Sequence, residues 1–265
     1  MVDYTTVPVS MGVRARGRRS RTRRRWVSQR SCRAFFATTH RAPPRARAQT
    51  TIMAVKYADG VVLGADSRTS TGTYVANRAS DKITPICENV WMCRSGSAAD
   101  TQNVAAYVSR LAQEHAVSVS SAGADADEGI KCDVKLVANI TQKIAYQNKD
   151  RLQAGMIIAG YDRKLGPQVY GIPLGGAMME NPFTVGGSGS AYIYGWCDDT
   201  FRENMSKEEA QAWVKRAISL AIARDASSGG VIRLVTIDAT GVSRQMIQPI
   251  EQPLCDEELP AVKRS

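Results

Sequence analysis

The stretch TTIMAVKYADGVVLGAD, residues 50–66, constrains the fold of this chain more than any other. Thr51, Met53, Val55 and Tyr57 alternate with Ile52, Ala54 and Lys56, which is the period of a β-strand. Asp59-Gly60 supplies a turn signal, and the apolar run VVLGAD follows at once, so the segment predicts a β-hairpin. ITPICENVWMCRSG reads as two further strands around a turn at Glu88-Asn89. Ser97 and Asp100 have capping-box spacing, and Val104, Val108 and Leu111 recur at helical spacing, which predicts a helix over 97–116. A polar loop, SVSSAGADADEG, separates it from a second predicted helix over 130–149.

AGMIIAGYD, PQVYGIPLGG and FTVGG read as strands, the last running through a glycine-rich turn into a short helix. MSKEEAQAWVKRAISLAIARD carries a Ser206–Glu209 capping box and the clearest amphipathic stripe in the chain. GGVIRLVTID and GVSRQMI close the pattern, and the tail after Pro249 reads as extended. Strands and helices come in groups rather than strict alternation, which favours α+β layers with mainly antiparallel sheets.

The hairpin also marks a border of charge. Residues 1–49 hold thirteen arginines, no lysine and one acid, Asp3, a net +12; the whole chain is +10, so residues 50–265 carry −2. The basicity therefore gives no support for nucleic-acid binding by residues 50–265. The Arg-rich segment has the composition of an organellar transit peptide or of a disordered, removable pro-segment, and the second reading is preferred. It gives two segments: 1–49, a pro-segment, and 50–265, a single domain. No run of 18 apolar residues occurs, so no membrane span is expected.

Several chemistries lack their residues. The histidines are His40, in the Arg-rich segment, and His115, beside Glu114 near a helix end, so a Ser-His-Asp triad has no plausible base. There is no P-loop lysine motif and no H-E-x-x-H, and GGSGS at 186–190 is too weak to assign as a phosphate loop. The six cysteines form no C-x-x-C pair; no zinc site is expected, and scattered thiols suit a reducing compartment.

One chemistry needs no histidine. A threonine at a chain's own N-terminus carries a hydroxyl nucleophile and an α-amine that titrates near ~8, a usable base at neutral pH. It requires cleavage before the threonine, and the charge border at residues 47–50 fits such a cut. Thr50 and Thr51 alone read better as ordinary strand positions, since threonine favours strands.

The longer motifs decide between these. TTIMAVKYADGVVLGADSRTSTGTYVANRASDKITPI, RSGSAADTQ, GGSGSAYIYG and RDASSGGVIRL resemble the catalytic β-subunits of the eukaryotic 20S proteasome, most closely the caspase-like type, over about residues 50–247. The resemblance implies an N-terminal-nucleophile hydrolase with a four-layer αββα sandwich, needing neither metal nor organic cofactor. It implies Thr50 as nucleophile, freed by cleavage of Gln49–Thr50, with Asp66 and Lys82 as the charged pair beside it. Gly96 matches the residue whose N–H binds the oxyanion, and Ser188, Asp225 and Ser228 match a supporting polar network. Arg94 matches the base of the specificity pocket, with Thr69, Ser80, Thr84, Ala98 and Gln102 lining it.

A guanidinium there implies preference for cleavage after acidic residues. The expected setting is a 28-subunit particle of β-rings stacked between α-rings, in cytoplasm and nucleus, degrading unfolded or ubiquitin-targeted chains without contact to nucleic acid or membrane. Gln49 departs from the family, which usually has glycine before the nucleophile. The rival readings are an unprocessed, structural β-subunit and an Arg-tailed nucleic-acid-binding protein; the intact Thr50, Asp66, Lys82 set favours the enzyme.

Overall fold

The computed structural model describes residues 50–71, 74–120 and 131–252. The expected pro-segment with Gln49, most of the polar loop and the end of the tail lie outside the described residues. Strand β1 (Thr51–Tyr57) turns back into β2 (Gly60–Ala65), as the hairpin signal requires. A small hairpin, β3 (Thr69–Thr71) and β4 (Tyr74–Asn77), was not legible as a separate unit in TSTGTYVAN. Then come β5 (Ile83–Cys87), β6 (Val90–Gly96), helix α1 (Ala98–Ser120) and helix α2 (Val134–Gln147). Strands β7 (Ala154–Asp162), β8 (Gly166–Ile172), β9 (Met179–Glu180) and β10 (Phe183–Gly187) lead into α3 (Ser190–Thr200) and α4 (Lys207–Arg224). Strands β11 (Ile232–Asp238) and β12 (Gly241–Ile247) end the pattern, and a 3₁₀ turn at Pro249–Glu251 takes the place of the extended start expected for the tail.

The strands form two five-stranded antiparallel sheets, β10-β1-β2-β11-β12 and β5-β6-β7-β8-β9. The period-2 pattern of β1 explains the layering. Ile52 and Ala54 point between the sheets, where they meet Leu63, Ile83, Ile157 and Val235. Met53 and Val55 point the other way, against Val214, Ala217 and Ile218 of α4. Helices α1 and α2 cover the outer face of the second sheet. Strand β1 is therefore buried on both faces, and each large apolar side chain so enclosed contributes about 1.5–3 kcal/mol. The result is the α+β, helix–sheet–sheet–helix sandwich.

Two local readings need correction. The Ser206–Glu209 capping box of α4 is formed in both directions. At α1 only one half exists: Ser97 Oγ accepts from Asp100 N–H at 3.4 Å, but Ser97 N–H donates to Gln153 O at 2.7 Å, and the Asp100 carboxylate accepts from Gln153 N–H. The box is opened to tie the β6–α1 junction to the start of β7. Cys87 and Cys132, expected as free thiols, form a disulfide across 45 residues, while Cys93 and Cys197 are free and buried. Spacing along the chain could not show that pairing, because the fold brings the end of β5 to the start of α2.

Candidate active site

Thr50 stands immediately before β1 and is buried. Its N–H donates to Ser188 Oγ at 3.1 Å, and its carbonyl accepts from Gly189 N–H at 3.4 Å. Its hydroxyl, Oγ1, is buried without a hydrogen-bond partner among the described residues. A buried hydroxyl forgoes about 1–3 kcal/mol when it is left unpaired, so this is the most conspicuous polar atom at the head of the strand.

The β1–β2 ladder delivers the second group. Ile52 pairs with Ala65, which puts Asp66 across from Thr51, and Asp66 N–H donates to Thr51 O at 3.1 Å. The Asp66 side chain is fully buried and accepts four donors. Its Oδ1 takes Thr51 N–H at 2.9 Å and Lys82 Nζ at 2.7 Å; its Oδ2 takes Gly229 N–H at 3.0 Å and Arg68 N–H at 3.2 Å. Lys82, on the approach to β5, also donates to Arg68 O at 2.6 Å and is almost fully enclosed. Burial pushes its ammonium below the ordinary lysine value, and Asp66 pulls it partly back. Lys82 thus meets the head of β1 on one shared carboxylate oxygen.

The third group comes from β10 and the end of α4. Ser188 Oγ and Ser228 Oγ each donate to Asp225 Oδ2 at 2.7 Å, and Ser227 N–H donates to Oδ1 at 3.0 Å. Burial alone would raise the Asp225 carboxyl, but these donors, led by Ser228 and Ser188, hold it below the usual carboxylate value. Ser228 Oγ also lies 2.7 Å from Thr51 Oγ1. A serine has one hydroxyl proton, and Asp225 takes it, so Thr51 is the donor in that pair. The two adjacent threonines are therefore unlike: Thr51 is fully engaged, whereas the Thr50 hydroxyl has no partner among the described residues.

The glycine-rich turn, set aside as a phosphate loop, has a steric task here. Gly187 pairs with Thr51 and has φ +87°; a Cβ on it would sit 1.9 Å from Thr50 O. A Cβ on Gly189 would sit 2.0 Å from Thr51 Oγ1. Only glycine lets the turn close around both threonines. Gly96 ends β6 at φ +104°, and a Cβ there would lie 2.2 Å from Gln153 O. Its glycine is thus required by left-handed backbone and by the neighbouring strand, not only by a ligand's approach.

Arg94 lies on β6, with its own N–H bonded to Lys82 O at 2.9 Å. Its guanidinium donates to Thr84 Oγ1 at 2.8 Å, Asp81 O at 2.8 Å and Thr101 Oγ1 at 3.4 Å, all neutral acceptors. The Asp81 carboxylate is taken by Arg244 instead. Arg94 therefore has no carboxylate partner among the described residues, and burial lowers its pKa below the ordinary arginine value. Thr69 and Ser80 pair through their hydroxyls at 2.7 Å. Thr101 Oγ1 accepts from Arg94 and donates to Ala98 O in the first turn of α1; Gln102, next along, is exposed. Thr101, Gly187 and Gly189 were not singled out from sequence, although Thr101 lies within the quoted RSGSAADTQ and the two glycines within GGSGS, and Thr51 was named without a role in the site.

A helix–sheet–sheet–helix sandwich with a threonine at the head of an interior strand, beside a buried lysine–aspartate pair, is the arrangement the resemblance led one to expect of an N-terminal-nucleophile hydrolase. The chain belongs to the proteasome subunit family, which it matches over residues 47–237. It is 51% identical to proteasome subunit beta type-6 of Arabidopsis thaliana over 210 residues, 79% of this chain and 86% of the relative. It is 50% identical to proteasome subunit beta type-1 of Saccharomyces cerevisiae over 203 residues, 76% and 89% of the two chains. It is 43% identical to proteasome subunit beta type-9 of Mus spicilegus over 204 residues, 77% and 89%.

Proposed function

We propose that this chain is a threonine endopeptidase subunit of a proteasome core in which Thr50 is the nucleophile and acidic residues are favoured before the cut bond. The observation that carries the reading is the unpartnered, buried Thr50 hydroxyl at the head of β1, next to the Asp66–Lys82 pair. Cleavage of Gln49–Thr50 converts the Thr50 N–H into an α-amine. That amine takes the hydroxyl proton as Oγ1 attacks the substrate carbonyl. Gly96 N–H stabilises the oxyanion. The C–N bond breaks, the leaving amine receives the proton, and an ester remains on Thr50. Water, deprotonated by the same amine, releases the acid.

In this scheme Lys82 disfavours protonation of the nearby amine and stabilises negative charge on Oγ1, and Asp66 holds Lys82 in place. Asp225, Ser188 and Ser228 orient the amine. Arg94 pairs with the substrate's acidic side chain, assisted by Thr69, Ser80, Thr84, Ala98 and Gln102. The partners are other β- and α-type subunits of a 28-subunit particle in cytoplasm and nucleus, the substrates are unfolded polypeptides, and no metal or cofactor takes part. N-terminal sequencing of the purified assembly tests the nucleophile: a chain beginning TTIMAV is expected, and one retaining the Arg-rich segment sinks the proposal. Gln49, in the place of the usual glycine, favours the structural-subunit alternative, and the same measurement decides it. Arg94→Met should lower kcat/KM after aspartate by at least tenfold while leaving the Thr50 terminus intact; an unchanged acidic preference refutes the pocket assignment.

A further inference from the structure

Arg94 can favour an acidic side chain only if no carboxylate of its own chain takes it first, and one carboxylate stands close by. The Arg94 guanidinium donates to the backbone carbonyl of Asp81 at 2.8 Å, so the Asp81 side chain springs from backbone that the guanidinium already touches. The charge of Asp81 is felt there: burial lowers the Arg94 pKa, and Asp81 pulls it partly back. Yet the Asp81 carboxylate is engaged elsewhere. Its Oδ1 accepts from Ile83 N–H at 3.0 Å, and its Oδ2 accepts from Arg244 at 2.6 Å. Arg244 lies on β12, the edge strand of the first sheet, opposite Val235 of β11. Its guanidinium also sits over the ring of Trp91, 5.1 Å from the centroid, and Trp91 belongs to β6 of the second sheet. Stacking on an aromatic face restrains a guanidinium, so Arg244 reaches across from one sheet to the other and is held where it meets Asp81. Nothing in the proposed mechanism uses Arg244.

We propose that Arg244 determines specificity by holding the Asp81 carboxylate, which keeps the Arg94 guanidinium open to an acidic side chain of the substrate. The inference rests on Arg94 acting as described under the proposed function. Arg244 is a positioning residue, because it acts through Asp81. Without it, Asp81 keeps its charge and lies a side-chain rotation away from a guanidinium whose present acceptors are all neutral. A competitor tethered to the same chain acts at an effective concentration of about millimolar or more. The chain's own acid would then occupy the group meant for the substrate's. The pair suits this task better than it suits stability. Its side chains are 45% and 42% exposed, and ion pairs of that kind add little to folding, so the arginine can be replaced without loss of the fold.

The test uses the assembled particle and two peptides that differ only in carrying Asp or Leu before the cut bond. Mass spectrometry of the competing peptides gives a ratio of kcat/KM that does not depend on the amount of active enzyme. The wild-type particle should favour Asp. Arg244→Gln should lower the Asp:Leu ratio by about fivefold, the scale of one exposed ion pair. Adding Asp81→Asn to it should bring the ratio back within twofold of wild type, because no carboxylate is left to compete. Lost packing over Trp91 could not be repaired by a second change at Asp81. Asp81→Asn alone, which removes the competitor rather than its keeper, should leave the ratio unchanged or raise it. A ratio unmoved by Arg244→Gln, a fall that Asp81→Asn does not reverse, or a fall in Asp81→Asn alone overturns this inference and leaves the Arg94 reading standing. A wild-type particle with no preference for Asp overturns the Arg94 reading and this inference with it.

Discussion

Asp66→Asn is the most informative single change, because the Asp66 carboxylate serves four donors from four different segments. The amide keeps one acceptor and replaces the other with a donor. If its oxygen faces Thr51 N–H and Lys82 Nζ, its NH₂ is forced against the N–H groups of Arg68 and Gly229, which stand 3.2 and 3.0 Å from the present Oδ2. Each stranded backbone donor costs about 1–3 kcal/mol. Lys82, 6% exposed, loses its only carboxylate contact among the described residues. Breaking such a pair costs about 3–5 kcal/mol. That part has a ceiling, because the amine can shed its proton. Neutralising a lysine of ordinary pKa about 10.4 at pH 7 costs about 5 kcal/mol, at about 1.4 kcal/mol per unit.

The ceiling gives the prediction its signature. In Asp66→Asn burial lowers the Lys82 ammonium further, with no carboxylate to offset it, so the unfolded state binds more protons than the folded one. Stability should then rise with pH, by up to about 1.4 kcal/mol per unit. Guanidinium denaturation of the full-length chain, followed by the buried Trp91 and Trp213, measures it. The expected loss at pH 7 exceeds about 4 kcal/mol, relative to wild type. Asp66→Asn with Lys82→Met should lose the pH slope and recover at least about 2 kcal/mol of the additive sum. A flat pH profile in the single variant, or no recovery in the double, refutes the view that Lys82 is a buried cation held by Asp66.

Gly187→Ala should cost more than about 2 kcal/mol, combining left-handed backbone with displacement of the Thr50 carbonyl. The fraction of chains with a Thr50 terminus should fall with it, and unchanged processing would mean the turn does not position Thr50. Asp225, held below its ordinary value when folded, contributes stability that is present above the unfolded pKa and lost as pH falls through the folded one. The stability gap between wild type and Asp225→Asn should therefore narrow below about pH 4 in acid titrations followed by fluorescence. Cys87→Ser should cost about 4 kcal/mol under oxidising conditions, the loop-entropy value for 45 residues, and nothing in excess dithiothreitol. Equal stability in both conditions would show that the sulfurs are not bonded in solution.

The alternation in residues 51–57 was readable because both faces of β1 are apolar for a reason: one meets the opposite sheet, the other α4. The Ser206–Glu209 box was readable because both of its hydrogen bonds are local. The Ser97–Asp100 box looked the same in sequence and was wrong by half, since the competing partner, Gln153, arrives from 53 residues beyond Asp100. Likewise the Cys87–Cys132 bond and the steric need for Gly187 depend on which segments meet. Thr50, Asp66 and Lys82 were found only through long ordered motifs; the residue types alone would have left an ordinary strand threonine and a surface ion pair. Arg94 shows the limit from the other side. Sequence cannot exclude an internal salt bridge at an arginine, and the fold gives the nearby Asp81 carboxylate to Arg244.

The pair of threonines that opens β1 shows how the site divides its labour. Thr51 has the role of a clamp: its N–H holds Asp66, its carbonyl takes Asp66 N–H, and its hydroxyl runs through Ser228 to Asp225. Two buried carboxylates are thereby fixed on either side of one residue. Thr50 inherits the geometry without spending its hydroxyl on it. Its N–H already donates to Ser188, which Asp225 orients. The proposed cleavage of the preceding bond would therefore change the chemistry of that nitrogen from amide to amine with its hydrogen-bond partner in place. Among the described residues the Thr50 hydroxyl has no partner while its neighbour makes the structural contacts, so removing the Thr51 hydroxyl by Thr51→Val should disorder Thr50, the proposed nucleophile, even though Thr50 is untouched.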